Sequence, residues 1–108
     1  MYNYLTDENL HKIYNLIKKE VNPSKIILFG SRARGENKEN SDYDILLITK
    51  DVKNEREITR KVNFSLLNNN INVPVDLIAS NENNFNINKL KNGLIYKQIA
   101  TEGIELKW

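Results

Sequence analysis

Apolar side chains recur near the start of the chain at three- and four-residue steps, at Leu10, Ile13, Tyr14, Ile17 and Val21. That spacing lays one buried stripe along a helix. Thr6 followed by Asp7 and Glu8 supplies its start, because a hydroxyl accepts from open amides and acids favour the positive end of the helix dipole. Asn22-Pro23 closes it. The pattern then changes period. Lys25 to Phe29 is a short apolar run ending at Gly30, with the length and makeup of a buried strand, and Tyr43 to Thr49 reads as a second. Between them Gly30 to Asn40 is charged and glycine-punctuated, a loop with room for one helical turn.

Ile58, Val62, Ser65 and Leu66 predict a second helix from about Asn54 to Leu67, which dissolves into Asn68-Asn69-Asn70. A third strand follows from Val73 to Ile78; Pro74 cannot donate to a ladder, so the strand lies at an edge or needs no bond there. Asn81 to Asn88 reads as a loop. Leu90, Leu94, Ile95 and Ile99 then restore helical spacing up to Gly103, a C-terminal cap, and the last five residues supply a short edge strand. This order predicts a small α/β (α+β) fold, a mixed β-sheet with helices on one face.

A chain of 108 residues, 40% hydrophobic, fits one compact domain over 1–108 and leaves no room for a second of ordinary size. The net charge of +2 is mild, and no aromatic stacking platform accompanies it, so a nucleic-acid partner is disfavoured. The absence of cysteine excludes disulfides, thiolate zinc sites and a Cys nucleophile, and permits a reducing interior. No stretch approaches the ~20 apolar residues that span a bilayer, and the first residues lack a charged start followed by an apolar block. The expectation is a cytoplasmic protein without a membrane partner.

The chemistry-bearing segment runs Phe29-Gly30-Ser31-Arg32-Ala33-Arg34-Gly35, then Ser41-Asp42-Tyr43-Asp44-Ile45. On a strand, alternate side chains share a face, so Asp42 and Asp44 project together with Cα atoms ~6.5–7 Å apart. Two such carboxylates repel unless a cation lies between them, and hard oxygen ligands suit Mg²⁺ or Mn²⁺. Asp76 brings a third acid if its strand lies beside the second, and three converging acids can hold two metal ions for in-line displacement at phosphorus. Gly30 lets backbone approach a phosphate closely, and Ser31 offers a hydroxyl at a turn entering a short helix. Each piece alone is ordinary: Gly-Ser is usually a turn, Asp-x-Asp a cap or loop, and Arg32 and Arg34 can simply solvate the loop. His11 has no ligand companion nearby and takes no catalytic role.

The conjunction resembles the nucleotidyltransferase superfamily typified by DNA polymerase β, and most closely its minimal, MNT-type members. Their pattern is Gly-Ser, about ten residues, Asp-x-Asp and a third acid on a later strand, matched here by Gly30, Ser31, Asp42, Asp44 and Asp76. The resemblance implies that Asp42 and Asp44 bridge two Mg²⁺ ions and that Asp76 serves the attacking hydroxyl. It also implies that Gly30 and Ser31 hold the β- and γ-phosphates of a nucleoside triphosphate, ATP by preference. Arg32 or Arg34 then neutralises the leaving phosphates, since guanidinium pairs with phosphate in a fixed fork. Minimal members are often encoded beside a HEPN-type protein as a toxin and antitoxin pair, so the implied activity is AMP transfer to a hydroxyl on that partner. The competing class is an antitoxin that neutralises its partner by occlusion without turnover.

Overall fold

The computed structural model describes residues 2–50 and 54–108. After a 3-10 turn at Tyr4–Thr6 come α1 (Glu8–Glu20), β1 (Lys25–Phe29), α2 (Gly30–Ala33), β2 (Tyr43–Thr49) and α3 (Glu55–Asn68). Then follow β3 (Val75–Asn81), α4 (Glu82–Asn88), α5 (Ile95–Glu102) and β4 (Ile104–Glu105). The strands form one mixed sheet in the order β3-β2-β1-β4, with β1 antiparallel to both neighbours and β2 parallel to β3. The α+β class read from the pattern is therefore the observed one.

Period-two alternation along β2 sorts the molecule into two layers of core. Tyr43, Ile45 and Leu47, with Ile26 and Leu28 of β1, pack against Leu10, Ile13 and Ile17 of α1 and Val62 and Leu66 of α3. Leu46 and Ile48, with Ile27 and Phe29, face the other way and meet Phe85 of α4 and Ile99 of α5. The two long helices share one face, but α4 and α5 cover the other, so the helices do not all lie on one face as the pattern predicted: Leu46 and Ile48 give the second face an apolar surface that Phe85 and Ile99 bury. Asp44 belongs by alternation to that second face, at the end of β2 that the two short helices leave open.

Three local readings change. Asp7, not Thr6, caps α1: its carboxylate accepts from the Leu10 amide at 3.1 Å, while Thr6 lies in the 3-10 turn. Residues 82–88, expected as loop, form α4, because the Asn81 side chain accepts from the Asn84 amide at 2.7 Å and Phe85 gives the turn a buried anchor. Leu90 and Leu94 fall outside the last helix and are 77% and 42% exposed; Gly93, at φ +84°, breaks the chain direction before α5 begins.

Asp7 also ties the N-terminus to the sheet. Tyr2 Oη donates to it at 2.9 Å, and Tyr43 Oη at 3.0 and 2.9 Å to its two oxygens. Burial and this bond push the Tyr43 phenol up to about 12. Asp7→Ala removes the cap and leaves two partly buried hydroxyls without their acceptor. The expected loss of stability is about 2–3 kcal/mol, read from urea denaturation with an unchanged slope.

Candidate active site

Strand register builds the site. Phe29 at the end of β1 pairs with Asp44, and Asp44 is the register partner of Asp76 across the parallel β2–β3 ladder. Register partners on neighbouring strands lie ~4.8 Å apart and point to the same face. Asp44 and Asp76 are therefore side by side on the face covered by α4 and α5, and Asp42 precedes Asp44 by two residues on the same chain. Asp42 and Asp76 are exposed and Asp44 is half-buried. Its carboxyl is held above the ordinary value by burial first, then by the charges of Asp76 and Asp42; Arg34 acts in the opposite direction. The crowding of negative charge read from spacing is thus present in space.

Gly30 closes the site from below. Its φ is +76°, and a Cβ there would lie 3.0 Å from Asp44 Cγ and 3.2 Å from Asp44 Cβ, overlapping the carboxylate beyond. Glycine is required twice over, for the turn and for the approach of Asp44. Ser31 follows in the first turn of α2, and its carbonyl accepts from the Glu36 amide at 2.8 Å, which folds the following loop back. Among the described residues none bonds the Ser31 hydroxyl, which leaves it available to a ligand.

The two arginines differ. Arg32 is buried, with its guanidinium 3.9 Å from the centre of the Tyr43 ring. Its Nε donates to the Ser41 carbonyl at 3.2 Å, and its Nη2 donates to the same oxygen at 2.8 Å and to the Glu39 carbonyl at 3.4 Å. This geometry makes Arg32 the clamp of the loop that delivers Asp42. Arg32→Lys keeps the charge but loses the fork, and the expected cost is roughly 1.5–3 kcal/mol, read as a fall in the denaturation midpoint. Arg34 is exposed and pairs with Glu36 at 2.5 Å and Glu102 at 3.2 Å. His11 stacks on Trp108 with ring centres 4.6 Å apart, a packing role remote from the carboxylates.

The donor set fits Mg²⁺ or Mn²⁺ by its chemistry: three carboxylates at one sheet end, with neither sulfur nor imidazole among them. Among the described residues no three acidic or imidazole side chains close around a single point. The acids are neighbours rather than a finished cage, at Cα separations that rotation of short side chains can bridge.

Sequence reasoning found these acids and the Gly-Ser turn. It missed the Gly30–Asp44 contact, the clamp by Arg32 and the part of Glu102, which lies 68 residues from Arg34. Strand register makes the first contact, the path of the loop between Arg32 and Ser41 makes the second, and nothing in local pattern links the last.

The family described as Polymerase beta, Nucleotidyltransferase matches residues 11–106, and the chain belongs to it. A solved structure described as "Crystal structure of the toxin-antitoxin with AMP-PNP" contains a chain with the same fold. The TM-score is 0.57 at 25% identity, covering 90% of this chain and 71% of that one. No curated protein sequence matches. Among the described residues no helix is long and apolar enough to cross a membrane.

Proposed function

We propose that the protein transfers AMP from ATP to a hydroxyl on a partner protein of the HEPN type, in the cytoplasm, at the end of β2 and β3. The observation that carries this reading is the in-register pair Asp44 and Asp76 with Gly30 packed against Asp44. It is supported by membership of the nucleotidyltransferase family and by likeness to a toxin–antitoxin complex that holds an ATP analogue.

In this reading Asp42, Asp44 and Asp76 hold two Mg²⁺ ions. When bound, such ions neutralise phosphate charge and make a hydroxyl more acidic. The Gly30-Ser31 turn receives the β- and γ-phosphates, the Ser31 hydroxyl donating to a phosphate oxygen, and Arg34 adds a positive charge at their edge. Asp76 is the exposed member of the register pair and accepts the proton of the incoming hydroxyl. The acceptor oxygen bonds to the α-phosphorus as the bond from that phosphorus to the bridging oxygen breaks, and pyrophosphate leaves on the opposite side. Arg32 takes no direct part; it fixes the loop ahead of Asp42.

Two labels test the reaction. With Mg²⁺ and the co-encoded partner, α-labelled ATP is expected to mark the partner, and γ-labelled ATP to yield labelled pyrophosphate and an unmarked partner. Marking by the γ-label makes the protein a kinase. Tight association with neither label transferred replaces transfer with neutralisation by occlusion.

A further inference from the structure

Arg34 lies one turn on from Gly30, its amide donating to the Gly30 carbonyl at 3.2 Å, and its guanidinium does not stand free. Its Nε donates to Glu36 Oε1 at 2.5 Å and its Nη1 to Glu102 Oε2 at 3.2 Å. The two carboxylates are unlike in their support. Glu36 lies on the same exposed loop as Arg34, two residues on, and moves with it. Glu102 ends α5, which is held against the sheet by buried Ile99. Just beyond it, Gly103 fits so closely that a Cβ would stand 2.5 Å from both Ile27 Cγ2 and the Ile99 carbonyl oxygen. Gln98 Nε2 also donates to Glu102 Oε2, at 3.3 Å. Glu102 is a fixed post and Arg34 is tethered to it.

This sets up a competition at the site. Asp42, Asp44, Asp76, Glu36 and Glu102 place five acids around the site, while buried Arg32 directs its Nε and Nη2 to backbone carbonyls of its own loop. A triphosphate arriving at Gly30 and Ser31 meets the exposed guanidinium of Arg34, which is already shared between two acids. Arginine does not lose its proton, so the phosphate gains it only by exchange of partners. Solvent-exposed ion pairs are weak and exchange readily.

We propose that Glu102 is a positioning residue: it holds Arg34 beside the nucleotide site in the empty protein and yields it to the triphosphate on binding, so that it sets nucleotide affinity. The proposal rests on the reading of the site as a nucleotide seat. Glu102→Gln keeps the size and the contact with Gln98 but removes the charge, and is expected to tighten binding of Mg-AMP-PNP by roughly 2- to 5-fold. Arg34→Met is expected to weaken it by a similar factor or more.

The double variant decides the matter. Calorimetry on the wild type, Glu102→Gln, Arg34→Met and the pair together forms a closed cycle. Loss of the Glu102→Gln gain in the Arg34→Met background supports the proposal. An equal gain in both backgrounds reports only one negative charge fewer and overturns it, as does no gain with Arg34 present. Binding by none of the four proteins overturns the nucleotide seat itself and this inference with it, a result distinct from binding with additive effects. Denaturation midpoints that match across the set exclude a folding change as the source of any difference.

Discussion

Asp76→Asn is expected to lower the rate of label transfer by ~10²-fold or more while leaving nucleotide affinity within a few-fold, the usual scale for loss of a positioned base. The three acids occupy unequal places. Asp44 is half-buried against Gly30 and next to the Gly30-Ser31 turn, and Asp42 lies two residues earlier, just ahead of β2. Asp76 is exposed on the edge strand, where an acceptor can approach. Asparagine removes a charge that crowds Asp44, so the variant keeps its fold, and the Asp44 carboxyl shifts back toward its ordinary value. In the proposed site, Asp42→Asn or Asp44→Asn would remove an oxygen ligand of the metal, and either is expected to weaken Mg-nucleotide binding as well as turnover. Calorimetry with AMP-PNP beside a single-turnover transfer assay separates the two patterns. Transfer by Asp76→Asn at the wild-type rate makes the third carboxylate structural.

The second large effect belongs to Gly30→Ala. The new methyl group must fit a left-handed backbone and a space that the Asp44 carboxylate fills, with the Asp44 Cγ only 3.0 Å away. The backbone penalty alone is about 1 kcal/mol or more, and either α2 or Asp44 has to move. A displacement of ~1 Å at a reacting centre can lower a rate by ~10²-fold. Gly30→Ala is therefore expected to lose transfer by that factor with a stability loss of only about 1–3 kcal/mol, so that most of the protein remains folded in the assay. Gly35 is the control: its φ is +74° but a Cβ there meets nothing within 4 Å. Gly35→Ala carries the backbone penalty without the clash and is expected to keep transfer within a few-fold.

Those contrasts show what the sequence could and could not carry. The stripe of α1 was legible because Leu10, Ile13 and Ile17 bury completely, and a helix that buries one face must repeat at three and four. The Asp-x-Asp at the head of β2 was legible because the strand alternates between two cores and its polar start interrupts one of them. By contrast α4 buries only Phe85, so its asparagines carried no period; the one local signal was Asn81 followed by Glu82, a cap and a first-turn acid. Gly103 was read correctly as the end of α5, but its φ of −67° is not that of a left-handed cap, and the glycine is required by the packing of Ile27 and Ile99. The buried clamp by Arg32 was hidden for a different reason. An arginine after Gly-Ser looks the same whether its donors reach a phosphate or the carbonyls of Glu39 and Ser41, and only the path of the loop decides.

The carboxylates at the end of β2 and β3 are the proposed centre for nucleotidyl transfer. The most direct test uses the purified protein and the proposed HEPN-type partner with α-labelled ATP and Mg²⁺, comparing the wild type with the variant that carries both Asp42→Asn and Asp44→Asn. Complex formation is measured in parallel by size exclusion. Labelled partner with the wild type, and label reduced to background with the double variant at equal complex formation, is the predicted result. Equal labelling by both proteins contradicts the account, because the chemistry would then proceed without the carboxylates on which it depends.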